Sequence, residues 1–252
     1  MKVARARLDG VPTLCEVSGD QLCVLEGHLG GPLERTGECH PLAGAELLCP
    51  VEPGRIFAVL GGFWDEGADR STGRGQPLVC PKVVPQTSGD GGQVTFWASL
   101  SSVSIEAEMA LVVGRTVRSA SLEESAAAIW GYTCCNDVTA TEHFPQFWLA
   151  KSFDTFASLG PWVCTDLTEN RIREGLAIEA RVNGATVQSG TTARYRFWPA
   201  EVVQFLSEVC TLNPGDVITL GTPPPLPDVV VGDVVEIEVE EIGTLTNRVV
   251  GG

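Results

Sequence analysis

Glu106 and Glu108 stand one residue apart in the run Ile105-Glu-Ala-Glu-Met-Ala-Leu-Val-Val113. Side chains alternate along a strand, so residues at i and i+2 point the same way, roughly 6.5–7 Å apart. Two carboxylates on one face repel unless a cation lies between them or one keeps its proton. Such oxygen ligands suit the hard cations Mg²⁺, Mn²⁺ and Ca²⁺. The bland alternative is a solvated strand face, and Glu236, Glu238 and Glu240 repeat the spacing near the C-terminus. Context separates the two runs: 105–113 is flanked by apolar residues and reads as a central strand, whereas 235–240 reads as an edge. Asp137, at the end of Gly131-Tyr-Thr-Cys-Cys-Asn-Asp137, is either a third oxygen ligand or an Asx-turn residue.

Lysine is scarce: only Lys2, Lys82 and Lys151 occur. A site that needs an ammonium group therefore draws on Lys151, and on Lys82 as a second candidate for holding substrate. Lys151 lies among aromatics in Trp148-Leu-Ala-Lys-Ser-Phe153, where a lysine either snorkels or faces an anion. Of the three histidines, His28 and His40 read as ordinary surface or core residues, and His143 is a minor acid–base candidate. There is no nucleophile elbow, P-loop or dinucleotide fingerprint.

The elements that must position these groups are short. The 252 residues make one large domain or two small ones, with 28 glycines and 16 prolines to break them up. Residues 1–53 read as a small β-rich N-terminal lobe, and 54–252 as the domain that carries the candidate site residues. A strand is expected at Arg55–Leu60. Ser121 and Glu124 form a capping-box signature before a helix over Ser125–Trp130, which Gly131 is expected to stop. Leu176–Val182 alternates into an Asn183-Gly184 hairpin turn. Pro199 opens an amphipathic helix through Cys210, and Pro223-Pro224-Pro225 forces an extended loop. The glycine-rich stretches 65–80 and 86–93 are solvated loops or a lid beside a site. The class is α+β, rich in β.

The net charge of −15 argues against nucleic acid as a partner. The sequence has no apolar run of 18 residues, so no membrane span is expected. Nine cysteines without a CxxC pair, and no secretory leader pattern, point to reduced thiols in a cytoplasmic protein.

Eight segments occur in an order that resembles the fumarylacetoacetate hydrolase superfamily. They are Ile105 to Gly114, Gly131 to Asp137, Lys151-Ser-Phe-Asp-Thr-Phe-Ala-Ser-Leu-Gly-Pro161, and Val182-Asn-Gly184 with Gln188. Leu212-Asn-Pro-Gly-Asp216, Leu220-Gly-Thr-Pro223, Val231-Gly-Asp233 and Ile242-Gly-Thr-Leu-Thr-Asn247 follow. The resemblance spans roughly residues 55–250. It implies a mixed β-roll or barrel with few helices, a homodimer, and a divalent metal, Mg²⁺ or else Mn²⁺ or Ca²⁺. The implied substrate is a small enolisable oxo or dicarbonyl acid, hydrolysed, decarboxylated or isomerised. Glu106, Glu108 and Asp137 match the metal carboxylates, while Lys151 and Thr222 match positions that contact substrate.

The departures bear on the chemistry. Where the family reads Arg-Asp-x-Gln after the ligand aspartate, the arginine is Thr141 and the glutamine is Phe144. The lid's His-Glu pair, which activates water in hydrolytic members, is Glu66 and Asp69, which inherit the acid–base role. Gly-Val-Gly after Gly-Thr-Pro becomes Pro224-Pro225-Leu226-Pro227. Losing the imidazole removes the usual base near pH 7, and losing the arginine removes a bidentate grip on a carboxylate. Phe144 and Trp64 make the expected pocket more apolar. The main expectation is a hydrolase, decarboxylase or isomerase of this type. One alternative is a lyase or cyclase of a specialised pathway in which no water attacks; another is a non-catalytic binding homologue.

Overall fold

A computed structural model describes residues 1–65, 67–68 and 73–252. Sixteen strands among these residues fall in two sheets. In chain order they are β1 (Lys2–Leu8), β2 (Val11–Ser18), β3 (Gln21–Gly27), β4 (Leu33–Pro41), β5 (Glu46–Leu48), β6 (Ile56–Leu60), β7 (Leu78–Lys82) and β8 (Gly92–Phe96). Then come β9 (Ala107–Val113), β10 (Ile129–Asp137), β11 (Ala157–Cys164), β12 (Ala177–Val182), β13 (Ala185–Thr191), β14 (Val217–Thr219), β15 (Val234–Val239) and β16 (Gly243–Gly251). Four short helices intervene: α1 (Leu122–Ala128), α2 (Phe147–Ala150), α3 (Glu169–Glu174) and α4 (Pro199–Val209). The larger sheet runs β4-β3-β2-β1-β11-β10-β9-β14-β6-β7 with β5 also on β1, and the smaller runs β13-β12-β15-β16-β8. The fold is the expected β-rich α+β. The N-terminal strands join the large sheet through antiparallel pairing of β1 with β11.

The strand β9 lies at the centre of this arrangement and is buried on both faces. Its alternation is as expected: Ala107, Met109, Leu111 and Val113 enter the main core with Ile178 and Ile237 of the small sheet. Ala110 and Val112 pack instead against Ala157, Leu159 and Val217. Glu108 shares that second face, because it is two residues from Ala110. Asn183 and Gly184 take φ of 51° and 80°, as a two-residue hairpin turn requires, and β12 and β13 pair across it.

Four expectations need correction. The capping box forms, with Glu124 N donating to Ser121 Oγ at 3.2 Å and Ser121 N donating to Glu124 Oε2 at 2.8 Å. The helix it starts nevertheless ends at Ala128, and Ile129 and Trp130 already belong to β10. Gly131 is needed for close approach: a Cβ there would meet the Cys164 carbonyl oxygen at 2.4 Å. Second, β15 is not an edge but lies between β12 and β16. Its acidic face is answered by Arg181, which donates to Glu236 at 3.2 Å and Glu238 at 2.7 Å.

Third, Cys23 and Cys39 face each other across β3 and β4 and are disulfide-bonded, so not all nine cysteines are thiols; the other seven are free. Fourth, residues 86–93 are no lid. They are sewn onto β11 and β16 by Ser88 N to Ala157 O at 3.3 Å, Leu159 N to Ser88 O at 3.0 Å and Thr246 N to Asp90 Oδ1 at 2.7 Å. No helix among the described residues is long and apolar enough to cross a membrane.

Candidate metal and substrate site

The acidic groups converge where β9 and β10 pair. Asn136 lies opposite Ala107, and Asp137 N donates to the Glu106 carbonyl at 3.1 Å. That register places Asp137, the last residue of β10, beside Glu106, which precedes β9. Glu106, Glu108 and Asp137 are all buried, and each offers a carboxylate oxygen within 4.8 Å of the other two.

Two lysines answer this charge. Lys151, 1% exposed, follows the short helix α2 and donates to Glu106 Oε1 at 2.6 Å, Asp137 Oδ2 at 2.6 Å and Thr139 Oγ1 at 2.9 Å. Those three bonds use all three of its donors. Thr139 Oγ1 in turn donates to Glu106 Oε1 at 2.5 Å. Lys82, from the end of β7, donates to Asp137 Oδ1 and to the Phe156 carbonyl, the latter at 2.8 Å. Asp137 is thus gripped by one ammonium on each oxygen.

Glu108 has no lysine of its own. Its Oε2 accepts from the Gly221 amide at 2.6 Å. Gly221 (φ 96°) is required there, since a Cβ would meet the Cα of Gly62 at 2.7 Å. Gln188 fixes the adjoining backbone: its Oε1 accepts from Ala107 N at 2.8 Å, and its Nε2 donates to the carbonyls of Pro223 and Pro225.

The electrostatics follow from this geometry. Burial, then the Asp137 and Glu106 carboxylates, push the Glu108 carboxyl well above the usual carboxylate range. Burial acts the same way on Asp137, but Lys151 and Lys82 overcome it and hold Asp137 below its ordinary value. Burial opposes the charge on Lys151, yet Asp137, Glu106 and Glu108 together raise it above an ordinary lysine. Lys151 and Lys82 answer Glu106 and Asp137, and Glu108 is the carboxyl left without an ammonium, its ionised form disfavoured by burial and by its acidic neighbours. A divalent ion with oxygen ligands at about 2.0–2.6 Å would favour the ionised form of such a set, so the donor set fits a hard cation.

Above these groups opens a cavity of about 270 Å³. Glu106, Lys151, Thr222 and Asp65 supply its polar lining; Gly61 and the apolar side chains of Val59, Leu60, Phe63, Phe144, Phe147, Pro224 and Leu226 supply the rest. Thr222 Oγ1 donates to the Ala107 carbonyl at 2.9 Å. Glu108 and Asp137 lie deeper and do not reach the lining.

The site residues read from the sequence distribute as follows. Glu106, Glu108, Asp137 and Lys151 come together, and Thr222 and Phe144 line the cavity. Lys82 does not line it, because its ammonium is spent on Asp137. Thr141 does not line it either; it starts a 3-10 turn and shares a 3.2 Å hydrogen bond with Ser102. Glu66 and Asp69 lie outside the described residues. Trp64 does not make the pocket apolar, because its ring carries the Arg196 guanidinium at 4.8 Å outside the lining. His143 stacks on Phe153 at 5.8 Å, away from the cavity.

Sequence reasoning gave no role to Thr139, Gln188 or the Gly221 amide. Thr139 had a signal, since it stands at i+2 from Asp137. The other two depend on contacts between residues more than 80 positions apart.

The chain is similar to several known proteins. Residues 67–250 match the family model "Fumarylacetoacetate (FAA) hydrolase C-terminal", and residues 1–50 match "Rv2993c-like, N-terminal". Protein Rv2993c of Mycobacterium tuberculosis is 34% identical over 255 residues, 98% of this chain and 94% of that protein. The crystal structure of 5-carboxymethyl-2-hydroxymuconate delta-isomerase from Mycobacterium smegmatis superposes with a TM-score of 0.91 at 32% identity, covering 100% of each chain. Maleylpyruvate hydrolase from Sphingobium sp. SYK-6, in complex with manganese (II) ion and pyruvate, superposes with a TM-score of 0.82 at 25% identity, again over 100% of each chain.

Proposed function

Because this chain belongs to the fumarylacetoacetate hydrolase superfamily of enzymes, we propose that it is a divalent-metal-dependent enzyme acting on an enolisable oxo or dicarbonyl acid, and that its reaction is an isomerisation or decarboxylation in which no water attacks. The carrying observation is the buried carboxylate trio, with Lys151 bridging Glu106 and Asp137, at the polar end of an apolar cavity. In this reading Glu106, Glu108 and Asp137 hold Mg²⁺, which when bound supplies Lewis acidity to the oxo oxygens of the substrate.

The side chains do the rest. Lys151 holds a fixed positive charge beside the place where enolate charge develops, in a site of low dielectric. Thr139 fixes the Lys151 ammonium against Glu106. Thr222 spends its proton on the Ala107 carbonyl, so its oxygen faces the cavity as an acceptor that orients the substrate. Lys82 acts as a positioning residue for Asp137. Proton movement belongs to Asp65, a carboxylate exposed on the lining, and, by family likeness, to Glu66 and Asp69, which lie outside the described residues. Carboxylates are poorer bases toward water near pH 7 than an imidazole. Among the described residues no histidine lines the cavity. Enolisation and loss of CO₂ need no activated water, which favours them over hydrolysis. By family likeness we extend the reading to a cytoplasmic homodimer whose residues 1–53 form a lobe accessory to the catalytic domain 54–252.

A three-substrate assay in Mg²⁺ tests this. Phenylpyruvate and oxaloacetate are followed for enol–keto conversion, oxaloacetate for CO₂ release, and acetylpyruvate for cleavage to acetate and pyruvate. Turnover of at least one of the first two, with acetylpyruvate left intact, is expected. Robust hydrolysis of acetylpyruvate contradicts the non-hydrolytic reading.

A further inference from the structure

The cavity also carries information about the part of the substrate that does not react. Among the described lining residues the only cation is Lys151, and all three of its donors are taken by Glu106, Asp137 and Thr139. No cation of the described lining is left for a second carboxylate, and Asp65 adds a negative charge at the rim. The wall beyond the polar end is instead aromatic and aliphatic. Phe144 and Phe147 meet at 5.2 Å with their planes tilted by 55°, and Phe63 is held edge-on by Tyr195 at 4.8 Å. Phe144 and Leu226 remain 40% and 38% exposed, so apolar surface at the mouth is open to be covered by a ligand.

From this we infer that the substrate is a mono-carboxylic oxo acid whose far end is an uncharged aryl or alkyl group, gripped by Phe144, Phe147, Phe63 and Leu226. The inference rests on the proposed function, which places the oxo-acid head at Glu106 and Lys151. A far carboxylate set against these side chains would give up water without gaining a partner among the described lining residues, which costs more than placing a methylene or ring there. A ring of the same length is rewarded by the apolar area it covers. The cavity, at about 270 Å³, lies just below the range of about 300–1,000 Å³ usual for small-molecule sites, so the head and one such group fill it.

Calorimetric titration of the Mg²⁺-supplemented protein with three probes tests the inference. Oxalate carries the head alone, phenylpyruvate adds a ring, and 2-oxoglutarate adds a second carboxylate. Phenylpyruvate is expected to bind at least tenfold more tightly than 2-oxoglutarate, and Phe144→Arg to reverse that order. Leu226→Arg serves as an independent second variant at another exposed position. Absence of oxalate binding overturns the proposed function and this inference with it. Oxalate binding accompanied by equal or tighter binding of 2-oxoglutarate, or an order unmoved by both arginine variants, overturns the inference alone.

Discussion

Lys151→Met is expected to lower turnover by at least 10²-fold and to make the protein's stability depend on divalent cation. Methionine keeps the length and fills the space but carries no charge. Glu106 and Asp137 would then lose the ammonium that bridges them at 2.6 Å on each side. Removing one partner of a buried ion pair costs about 3–5 kcal/mol, because the remaining charge stays unpaired. At about 2–4 °C per kcal/mol for a chain of this size, the melting temperature should fall by about 6–20 °C without metal. Added Mg²⁺ should return most of that loss, since the ion then neutralises the carboxylates that Lys151 left behind. Turnover should not return with it, because the charge beside the developing enolate is gone. Melting curves with and without Mg²⁺ check the first part, and the oxo-acid assay the second. A variant that melts like the parent in both conditions would show that Lys151 does not hold the trio together.

Asp137→Asn is expected to weaken divalent-cation binding by about 10²-fold or more, at the upper end of what changes around a metal ligand cost, and to abolish turnover. The amide keeps the shape and offers an oxygen, but it loses the charge on which Lys82 and Lys151 both converge. Two buried ammoniums would then face Glu106 and Glu108 with no shared anion between them. The consequence differs in sign from that of Lys151→Met. Mg²⁺ should no longer stabilise Asp137→Asn, because the site has lost a negative ligand and kept both positive neighbours. Thermal shift across a Mg²⁺ series separates the two variants. Equal Mg²⁺ stabilisation in Asp137→Asn and the parent would remove Asp137 from the site.

The contrast between these two residues shows what the sequence holds and what it does not. Glu106 and Glu108 were legible because strand periodicity is local: spacing alone puts them on one face, and apolar flanks make that face internal. Asp137 and Lys151 were legible through the order of motifs, not through geometry. What joins all four is the register of β9 against β10 and the return of α2, neither of which any local pattern specifies. For the same reason the acidic strand β15 read as an edge. Its counter-charge, Arg181, lies 55 positions from Glu236 and becomes its neighbour only when β12 pairs with β15. Cys23 and Cys39 meet across β3 and β4 by the same kind of pairing. Lys82 was recognised as scarce, but its ammonium serves the carboxylate and not a substrate, a distinction fixed by 55 residues of intervening fold. Local signals such as the Ser121 capping box and the Asn183-Gly184 turn survive into the structure because their partners are three residues away or fewer.

Direct titration of the metal-free protein with Mn²⁺, read by calorimetry and by the electron spin resonance of free Mn²⁺, tests the central claim most directly. One ion per chain is expected to bind, to be displaced by Mg²⁺, and to be lost in Glu106→Ala and Glu108→Ala variants that still show the parent's β-sheet circular dichroism. A parent protein that binds no Mn²⁺, or that binds it equally well without Glu106 and Glu108, would mean that Lys82, Lys151 and bound protons balance the buried trio without an ion and that the chemistry proposed for it does not take place there.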